Sequence, residues 1–257
     1  MPESAPRAVL LFDIDGVVRD VAASYRRALV ETVHHYSGWR PDAACIDALK
    51  GEGRWNNDWE ASLELLRRHG HDPLPEFGAL VAVFSGFYFG GDPDGDPRQW
   101  RGFIGDEPLL MDRSSFDHLT RAGIAWGFVS GAEPASARYV LQRLGLTNPP
   151  LVAMGDAPDK PDPTGLLRLA RVLGGGPGPL APPVAYLGDT VADVLTVHNA
   201  RRACPSQRFL SLAVAPPHLH SQPEARRIYE RRLTSAGTDA VIEHSTAALG
   251  ALQGLLS

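Results

Sequence analysis

The sequence predicts an α/β fold in which a parallel sheet is covered by helices on both faces and an all-helical domain is inserted. Three observations predict it. Short apolar runs that end in Gly, Ser or Asp recur along the chain, with helix-like stretches between most of them. The first run leads directly into two aspartates, Asp13 and Asp15. The stretch 20–108 that follows shows helical patterns and no convincing strand.

The first strand is predicted at residues 9–12, a short apolar run rich in branched residues and ended by a turn signal. These properties are typical of a strand buried on both faces. Asp13 and Asp15 therefore lie at the carboxyl end of the strand, where open α/β sheets bind ligands. A pair of like charges has no structural purpose there. A site that holds a cation, and uses one carboxylate as nucleophile and the other as acid or base, requires both.

The inserted stretch is predicted to form a separate helical cap over residues 20–108. Helical patterns cover residues 22–36, 41–49, 57–69 and 75–89. The predicted catalytic core then consists of residues 1–19 and 109–257.

The remaining strands and helices are predicted to alternate through the core. The further strand-like runs are 123–129, 150–154, 184–187, 209–215 and 240–243. The helix-like stretches are 114–121, 134–144, 164–173, 191–200 and 223–235. Because strands joined by helices run parallel, their carboxyl ends meet at one edge of the sheet.

Composition restricts the class of protein. A chain of 257 residues with 44% apolar and 21% charged residues is typical of a soluble globular protein. The net charge of −5 gives no sign of the excess positive charge that proteins use to bind nucleic acid or an anionic membrane. Two cysteines, Cys45 and Cys204, make no disulfide framework, and we find no signal peptide or membrane-spanning run. We expect a cytoplasmic protein without nucleic-acid or membrane partners.

Polar residues occur at or just after four of the predicted strand ends. Together they offer carboxylates for a divalent cation, a hydroxyl, backbone amides and one lysine, the groups needed to neutralise a phosphoryl group as it transfers. In chain order these residues are Asp13, Asp15, Ser130, Lys160, Asp189 and Asp193.

With these four motifs in order, the chain resembles the haloacid dehalogenase-like (HAD) hydrolase superfamily. The motifs are Asp13-x-Asp15-Gly-Val after an apolar run, a serine at 130, Lys160-Pro, and Gly-Asp189-Thr-x-x-Asp193. The resemblance covers the core nearly end to end and implies a Rossmann-like fold. The helical insertion after the first motif is similar to the subgroup with an α-helical cap, known as subfamily IA.

The resemblance implies a role for each residue. Asp13 would be the nucleophile that forms an aspartyl-phosphate, and Asp15 would be the general acid and base. Ser130 and the Gly131 amide would bind phosphoryl oxygens, while Lys160 would neutralise charge on the nucleophile and the phosphate. The implied cofactor is Mg²⁺, held by Asp13, the Asp15 carbonyl and Asp189, with Asp193 binding directly or supporting a ligand.

Each motif taken alone has a simpler reading. Asp13-x-Asp15 would be a turn or a helix N-cap, and Ser130 an ordinary loop serine. Asp189 would belong to the cap of the following helix, and Asp193 would be an acidic residue favoured by the helix dipole.

Asp15 narrows the implied chemistry to phosphate esters. Dehalogenases of the superfamily carry no acid at this position, and phosphonate hydrolases combine a non-acidic residue there with a lysine on the cap. Lys50 lies in the predicted cap, but Asp15 argues against a phosphonate hydrolase. We expect a phosphomonoester hydrolase, with a phosphomutase or a catalytically silent binding protein as alternatives.

Substrate selection is predicted to reside in the cap segment 51–59. Arg54, Trp55, Asn56 and Asn57 suit a small phosphorylated metabolite, a sugar phosphate among the candidates, through an anion contact, ring stacking and amide hydrogen bonds. The alternative is a helix start capped by Asn56 or Asn57 with buried tryptophans. The sequence leaves both monomer and homodimer open.

Overall fold

The computed structural model describes residues 5–257 apart from residues 56, 177 and 179. The chain divides into two compact units, one made of Met1–Arg19 with Leu109–Ser257 and the other of Asp20–Pro108. We call them the core unit and the helical unit. Within the core unit, Arg19 and Leu109 form an isolated antiparallel bridge, so the chain leaves and re-enters this unit at adjacent points.

The core unit contains a six-stranded parallel sheet. Its strands are β1 (Ala8–Phe12), β2 (Ile124–Val129), β3 (Leu151–Val152), β4 (Val184–Gly188), β5 (Phe209–Val214) and β6 (Ala240–Ile242). Their order in the sheet is β3-β2-β1-β4-β5-β6, and every pair is parallel. The chain moves outward from β1 to β2 and β3, then returns to the other side of β1. Such a reversal creates a ligand-binding crevice at the carboxyl ends of the strands.

The described part of the helical unit contains four α-helices. They are α1 (Tyr25–Ser37), α2 (Ala43–Lys50), α3 (Asp58–Arg68) and α4 (Phe77–Tyr88). The first helix packs against α3 and α4, and the aromatic rings of Tyr25 and Tyr88 meet edge to face with centroids 4.6 Å apart. The described part of residues 20–108 contains no strand, and each of the four helical patterns coincides with one of these helices.

Helices cover both faces of the sheet in the core unit. They are α5 (Arg113–Arg121), α6 (Pro134–Arg143), α7 (Thr164–Gly174), α8 (Val191–Ala203), α9 (Pro223–Ser235) and α10 (Ala248–Leu256). Alternate side chains of β1 point to opposite faces. Val9 and Leu11 pack with residues of α7 and α8, whereas Leu10 and Phe12 pack with residues of α5, α6 and α10. The predicted Rossmann-like α/β fold is confirmed.

Two elements differ from the prediction. The strand expected at 150–154 extends only over Leu151–Val152, because the Ala153 amide bonds the Asp156 side chain and the chain turns. The helix α10 was not predicted, since its two glycines are unfavourable in a helix interior. Burial of Ala248 and Leu252 against the sheet stabilises it. None of the described helices is both long and apolar enough to cross a membrane.

Candidate active site

Asp13 lies at the carboxyl end of the central strand β1. Its amide donates to the Leu187 carbonyl at 2.9 Å, which continues the pairing with β4 for one residue beyond the strand. The side chain is buried, with Oδ1 accepting from the Ile14 amide at 2.8 Å and Oδ2 from Lys160 Nζ at 2.8 Å. The Asp13 carboxylate is therefore held in one orientation, at the point where the strand order of the sheet reverses.

Asp189 and Asp193 follow the adjacent strand β4. Thr190 and Asp193 form a capping box at the start of α8, in which Asp193 Oδ2 accepts from the Thr190 amide at 2.9 Å and from its hydroxyl at 2.7 Å. This local geometry turns Asp193 back toward the strand end. Oxygen atoms of Asp13, Asp189 and Asp193 then lie within 4.8 Å of one another.

Two glycines permit this close approach. A Cβ atom at Gly16 would lie 2.0 Å from Asp189 Oδ2, and Gly16 also has a φ of +75°, which disfavours other residues. A Cβ atom at Gly188 would lie 2.2 Å from the Cβ of Asp193. Glycine at both positions is thus a requirement of the carboxylate cluster.

Lys160 joins the cluster from the loop between β3 and α7. Its Nζ donates to Asp193 Oδ1 at 2.6 Å and to the Tyr186 hydroxyl at 3.1 Å, in addition to Asp13. The Asn199 side chain donates to the Pro161 carbonyl at 2.9 Å and so fixes this loop to α8. Lys160 is 8% exposed, which makes it a buried cation among buried carboxylates.

Tyr186 is a member of the site that the sequence analysis missed. It lies on β4, and its hydroxyl is 2.8 Å from the Val129 carbonyl and 3.0 Å from Asp193 Oδ1. The available signal was a hydroxyl-bearing side chain on an otherwise aliphatic strand, three residues before Asp189. Tyr186 thereby contributes to holding Lys160.

The electrostatics of the cluster favour a bound cation. Burial raises the pKa of Asp13 to about 6 against the opposing effect of Lys160. Burial and the neighbouring carboxylates of Asp193 and Asp13 raise the pKa of Asp189 well above its usual value. Among the described residues, no donor contacts the Asp189 carboxylate, so one lysine faces three buried carboxylates. Carboxylate oxygens in this setting fit a hard divalent cation.

Asp193 has the opposite electrostatic environment. Burial acts to raise its pKa, but Lys160 and the Thr190 donors outweigh burial and hold the pKa below its usual value. Both of its oxygens accept hydrogen bonds. This arrangement favours a supporting position for Asp193 rather than a direct metal contact.

Asp15 is not one of the three carboxylates of this cluster. Arg19 Nε donates to Asp15 Oδ1 at 2.7 Å, and the Arg19 side chain is fully buried. Arg19 was also missed by the sequence analysis, although a basic residue directly after the apolar pair Val17 and Val18 is an unusual feature. The two aspartates of the first motif thus have different partners, Lys160 for Asp13 and Arg19 for Asp15.

Ser130 and Gly131 follow the end of β2. The Ser130 amide donates to the Val152 carbonyl at 2.9 Å, and its hydroxyl accepts from the Ala132 amide at 3.2 Å. Ser130, Gly131 and Lys160 line one small cavity. The structure therefore brings the serine loop and the lysine loop together.

Three of the residues predicted to contact substrate, Arg54, Trp55 and Asn57, belong to the helical unit. Asn57 Oδ1 accepts from the amides of Trp59 and Glu60, which makes Asn57 the N-cap of α3, the alternative considered for it. Arg54 is exposed, with its guanidinium 5.1 Å from the Trp55 ring. Asn56 lies outside the described residues. Lys50 pairs with Asp58 at 2.6 Å.

The chain belongs to the haloacid dehalogenase-like hydrolase family, whose model matches residues 8–201. This match confirms two predictions: that the chain is a member of this family, and that it is an enzyme of this hydrolase class. The roles of the individual side chains stay predictions.

Known proteins resemble the chain along nearly its whole length. An imidazoleglycerol-phosphate dehydratase from Phytophthora nicotianae is 29% identical in an alignment of 259 residues that covers 98% of this chain. The match covers 52% of that relative, so the chain spans about half its length.

Two solved structures show the same fold. A hydrolase from Pseudomonas syringae has a TM-score of 0.68 at 19% identity. The match covers 97% of this chain and 100% of the chain of that hydrolase. A predicted phosphoglycolate phosphatase from Haemophilus somnus has a TM-score of 0.66 at 14% identity and covers 95% of this chain and 97% of its own. At this level of identity the likeness concerns the fold alone.

Proposed function

We propose that the protein is a Mg²⁺-dependent phosphomonoester hydrolase that acts on a small phosphorylated metabolite through an aspartyl-phosphate intermediate. The observation that carries this proposal is the difference between the surroundings of the two aspartates of the first motif. Asp13 is buried with Lys160 beside two further carboxylates, whereas the Asp15 side chain is 23% exposed and held by Arg19. This difference supports attack by the Asp13 carboxylate and proton transfer by the Asp15 carboxyl group.

The proposed reaction has two halves. An oxygen of Asp13 attacks phosphorus, the bond to the leaving oxygen breaks, and Asp15 donates its proton to that oxygen. Water then attacks the aspartyl-phosphate, Asp15 takes a proton from the water, and inorganic phosphate leaves Asp13. Lys160 and the Ser130–Gly131 loop neutralise or bind the phosphoryl oxygens in both halves.

The carboxylates of Asp13 and Asp189 would hold the metal ion, together with the Asp15 carbonyl. When bound, Mg²⁺ supplies charge neutralisation for the transferring phosphoryl group. Asp193 supports this site by orienting Lys160.

We further propose that the helical unit is the cap of the enzyme and that segment 51–59 selects the leaving group. The insertion begins directly after the loop that carries Asp13 and Asp15, which supports this role. Arg54 and Trp55 are the candidates for substrate contact, because the Asn57 oxygen is used in capping α3. Trp55 also lines an apolar cavity of about 450 Å³ with Leu63, Leu74 and Phe77.

The name of the Phytophthora relative suggests one ester to test. Imidazoleglycerol phosphate is a phosphate monoester with a polar ring, which suits recognition by an aromatic side chain and an arginine. The name of the Haemophilus structure adds phosphoglycolate as a second ester.

The test is an assay of phosphate release from these two esters, several sugar phosphates and p-nitrophenyl phosphate, with and without Mg²⁺. The Asp13→Asn variant should abolish release. Asp112→Asn is a matched control, since Asp112 caps α5 and asparagine is an equally good cap. Mg²⁺-dependent release that is lost only in Asp13→Asn supports the proposal.

Absence of release from every ester would contradict the proposal. Isomerisation of a sugar phosphate without release would then indicate a phosphomutase. Ligand binding with neither reaction would indicate a silent binding protein.

A further inference from the structure

Arg19 is the largest of the fully buried side chains among the residues that the structure describes, and it lies in the core unit. It lies four residues after Asp15 in a tight loop. The Ile14 carbonyl accepts from the amides of Val18 and Arg19 at 2.7 and 3.1 Å, and the Gly16 amide donates to the Arg19 carbonyl at 2.9 Å. This closed loop places the Arg19 guanidinium against the Asp15 carboxylate.

The contacts of Arg19 with Asp15 fall on one oxygen. Nε lies 2.7 Å and Nη2 lies 2.6 Å from Oδ1, and no contact to Oδ2 is found among the residues that the structure describes. The same Nη2 donates to the Ser136 hydroxyl at 2.7 Å, which ties the guanidinium to α6. The side chain of Asp15 keeps 23% exposure, whereas that of Arg19 has none.

We propose that Arg19 is the positioning residue for Asp15, which holds Oδ1 so that Oδ2 carries the transferred proton. This inference rests on the proposed function and assigns a role to a residue outside the four motifs. Two charge-assisted hydrogen bonds hold Oδ1 in place, and the position of Oδ1 limits where Oδ2 can lie. General acid catalysis depends on such placement, because the proton donor must lie within hydrogen-bond reach of the leaving oxygen.

The proton balance in this arrangement is complete. As the bond from phosphorus to the leaving oxygen breaks, that oxygen takes the Oδ2 proton, and the resulting Asp15 carboxylate keeps its bonds to Arg19. In the second half, Oδ2 accepts a proton from the attacking water and the donor is restored. Arg19 exchanges no proton in either half, since its guanidinium stays protonated.

The test compares two leaving groups in Arg19→Met and Arg19→Lys. One substrate is the alkyl phosphate that the wild-type protein hydrolyses fastest in the panel, and the other is p-nitrophenyl phosphate. An alkoxide needs a proton to leave, whereas p-nitrophenolate leaves readily without one. We use kcat/KM because it reports formation of the aspartyl-phosphate and excludes its hydrolysis.

In Arg19→Met, we expect kcat/KM for the alkyl ester to fall about 100-fold and that for p-nitrophenyl phosphate by less than about 3-fold. Hydrolysis of the aspartyl-phosphate also slows, so a burst of p-nitrophenol should appear. The burst amplitude also gives the fraction of active enzyme. Arg19→Lys keeps the charge and should recover part of the loss for the alkyl ester.

A proportional loss with both esters would overturn the inference, because a purely structural role lowers the active fraction for every substrate alike. Should Arg19→Met fail to fold, Ser136→Ala releases the guanidinium from α6 and should show a smaller loss, about 3- to 10-fold, again confined to the alkyl ester. An equal loss of kcat/KM for both esters in Ser136→Ala would then contradict the assignment of Arg19.

Arg26→Met is the matched control, since Arg26 forms a comparable pair with Asp47 at 2.7 Å in the helical unit. We expect no change in the ratio of the two kcat/KM values. If the wild-type protein hydrolyses no ester, the proposed function fails. If it does and the ratio is unchanged in Arg19→Met, only the assignment of Arg19 fails.

Discussion

Lys160 Nζ lies 2.8 Å from Asp13 Oδ2, although the two residues are 147 positions apart in the chain. Both side chains are 6% exposed, so this pair is a buried ion pair. Parallel strands bring the pair together, because the loops after β1 and β3 leave the sheet at the same edge.

Replacing Lys160 by methionine should destabilise the metal-free protein. The change removes the cation from three buried carboxylates, and loss of one partner of a buried pair costs on the order of 3 kcal/mol. Urea unfolding with and without Mg²⁺ measures this loss of unfolding free energy. Mg²⁺ should recover part of the loss, since it supplies positive charge to the same carboxylates.

Lys50→Met is the control, as Lys50 is the only other lysine of the chain and pairs with Asp58. It should cost less than about 1 kcal/mol and show no Mg²⁺ dependence. Equal losses of unfolding free energy in Lys160→Met and Lys50→Met would contradict the expectation that Lys160 stabilises the buried carboxylates.

Mg²⁺ affinity should decrease as the pH falls below about 6, the value to which burial raises the pKa of Asp13. A proton on this carboxylate competes with the metal ion for the same oxygen, so binding releases protons. Calorimetric titrations at several pH values, in buffers of different ionisation enthalpy, measure both effects. A constant affinity between about pH 5 and pH 8 would contradict this expectation.

The same pKa shift determines how the stability of the metal-free protein depends on pH. The folded-state pKa of Asp13 lies above its unfolded value, so the folded protein binds the additional proton between about pH 4 and pH 6. The free energy of unfolding should therefore fall as the pH rises through that window. Asp13→Asn should remove this part of the slope.

Gly16→Ala should weaken metal binding about 10-fold or more, since its Cβ would lie 2.0 Å from Asp189 Oδ2 and displace that carboxylate. Gly38→Ala is a matched control, because Gly38 also has a positive φ, +72°, but has nothing within 4 Å of the added Cβ. Both variants should lose about 1 kcal/mol of stability from backbone strain. Unchanged Mg²⁺ affinity in Gly16→Ala, measured by calorimetry, would show that Asp189 can move at no cost.

Tyr186→Phe should lower kcat by about 3- to 10-fold and the free energy of unfolding by about 1–2 kcal/mol, because Lys160 loses an acceptor and the Val129 carbonyl loses a donor. Steady-state kinetics and urea unfolding measure the two effects. Tyr88→Phe removes a buried hydroxyl that donates to Glu107 in the helical unit, and it should change stability alone. A similar kcat in wild type and Tyr186→Phe would argue that the hydroxyl only stabilises the fold.

Asn57→Ala should destabilise the protein by about 1 kcal/mol, because the N-cap of α3 is lost. Asn57→Ser keeps a capping oxygen and should retain both stability and activity. Thermal unfolding and kcat/KM on the preferred ester check these outcomes. Lower kcat/KM in the stable serine variant would instead identify the Asn57 amide as a substrate contact.

The sequence by itself determined the family, the α/β fold and the positions of the four motifs. These features are local: apolar runs define the strands, and three of the four motifs directly follow a strand end, as Asp13 follows β1 and Asp189 follows β4. The Thr190–Asp193 capping box is also encoded locally, since its two members are three positions apart in the sequence.

Only the tertiary structure decided which side chains complete these motifs. Tyr186 lies on β4 and contacts Lys160, which comes from the loop after β3 on the other side of β1. Arg19 contacts Ser136, which is 117 positions away in the sequence. Such contacts depend on how strands and helices pack, and no local pattern encodes the packing. Asn57 shows the same limit in a single residue. Its sequence context suits a helix cap and a substrate contact equally, and the hydrogen bonds to Trp59 and Glu60 favour the cap.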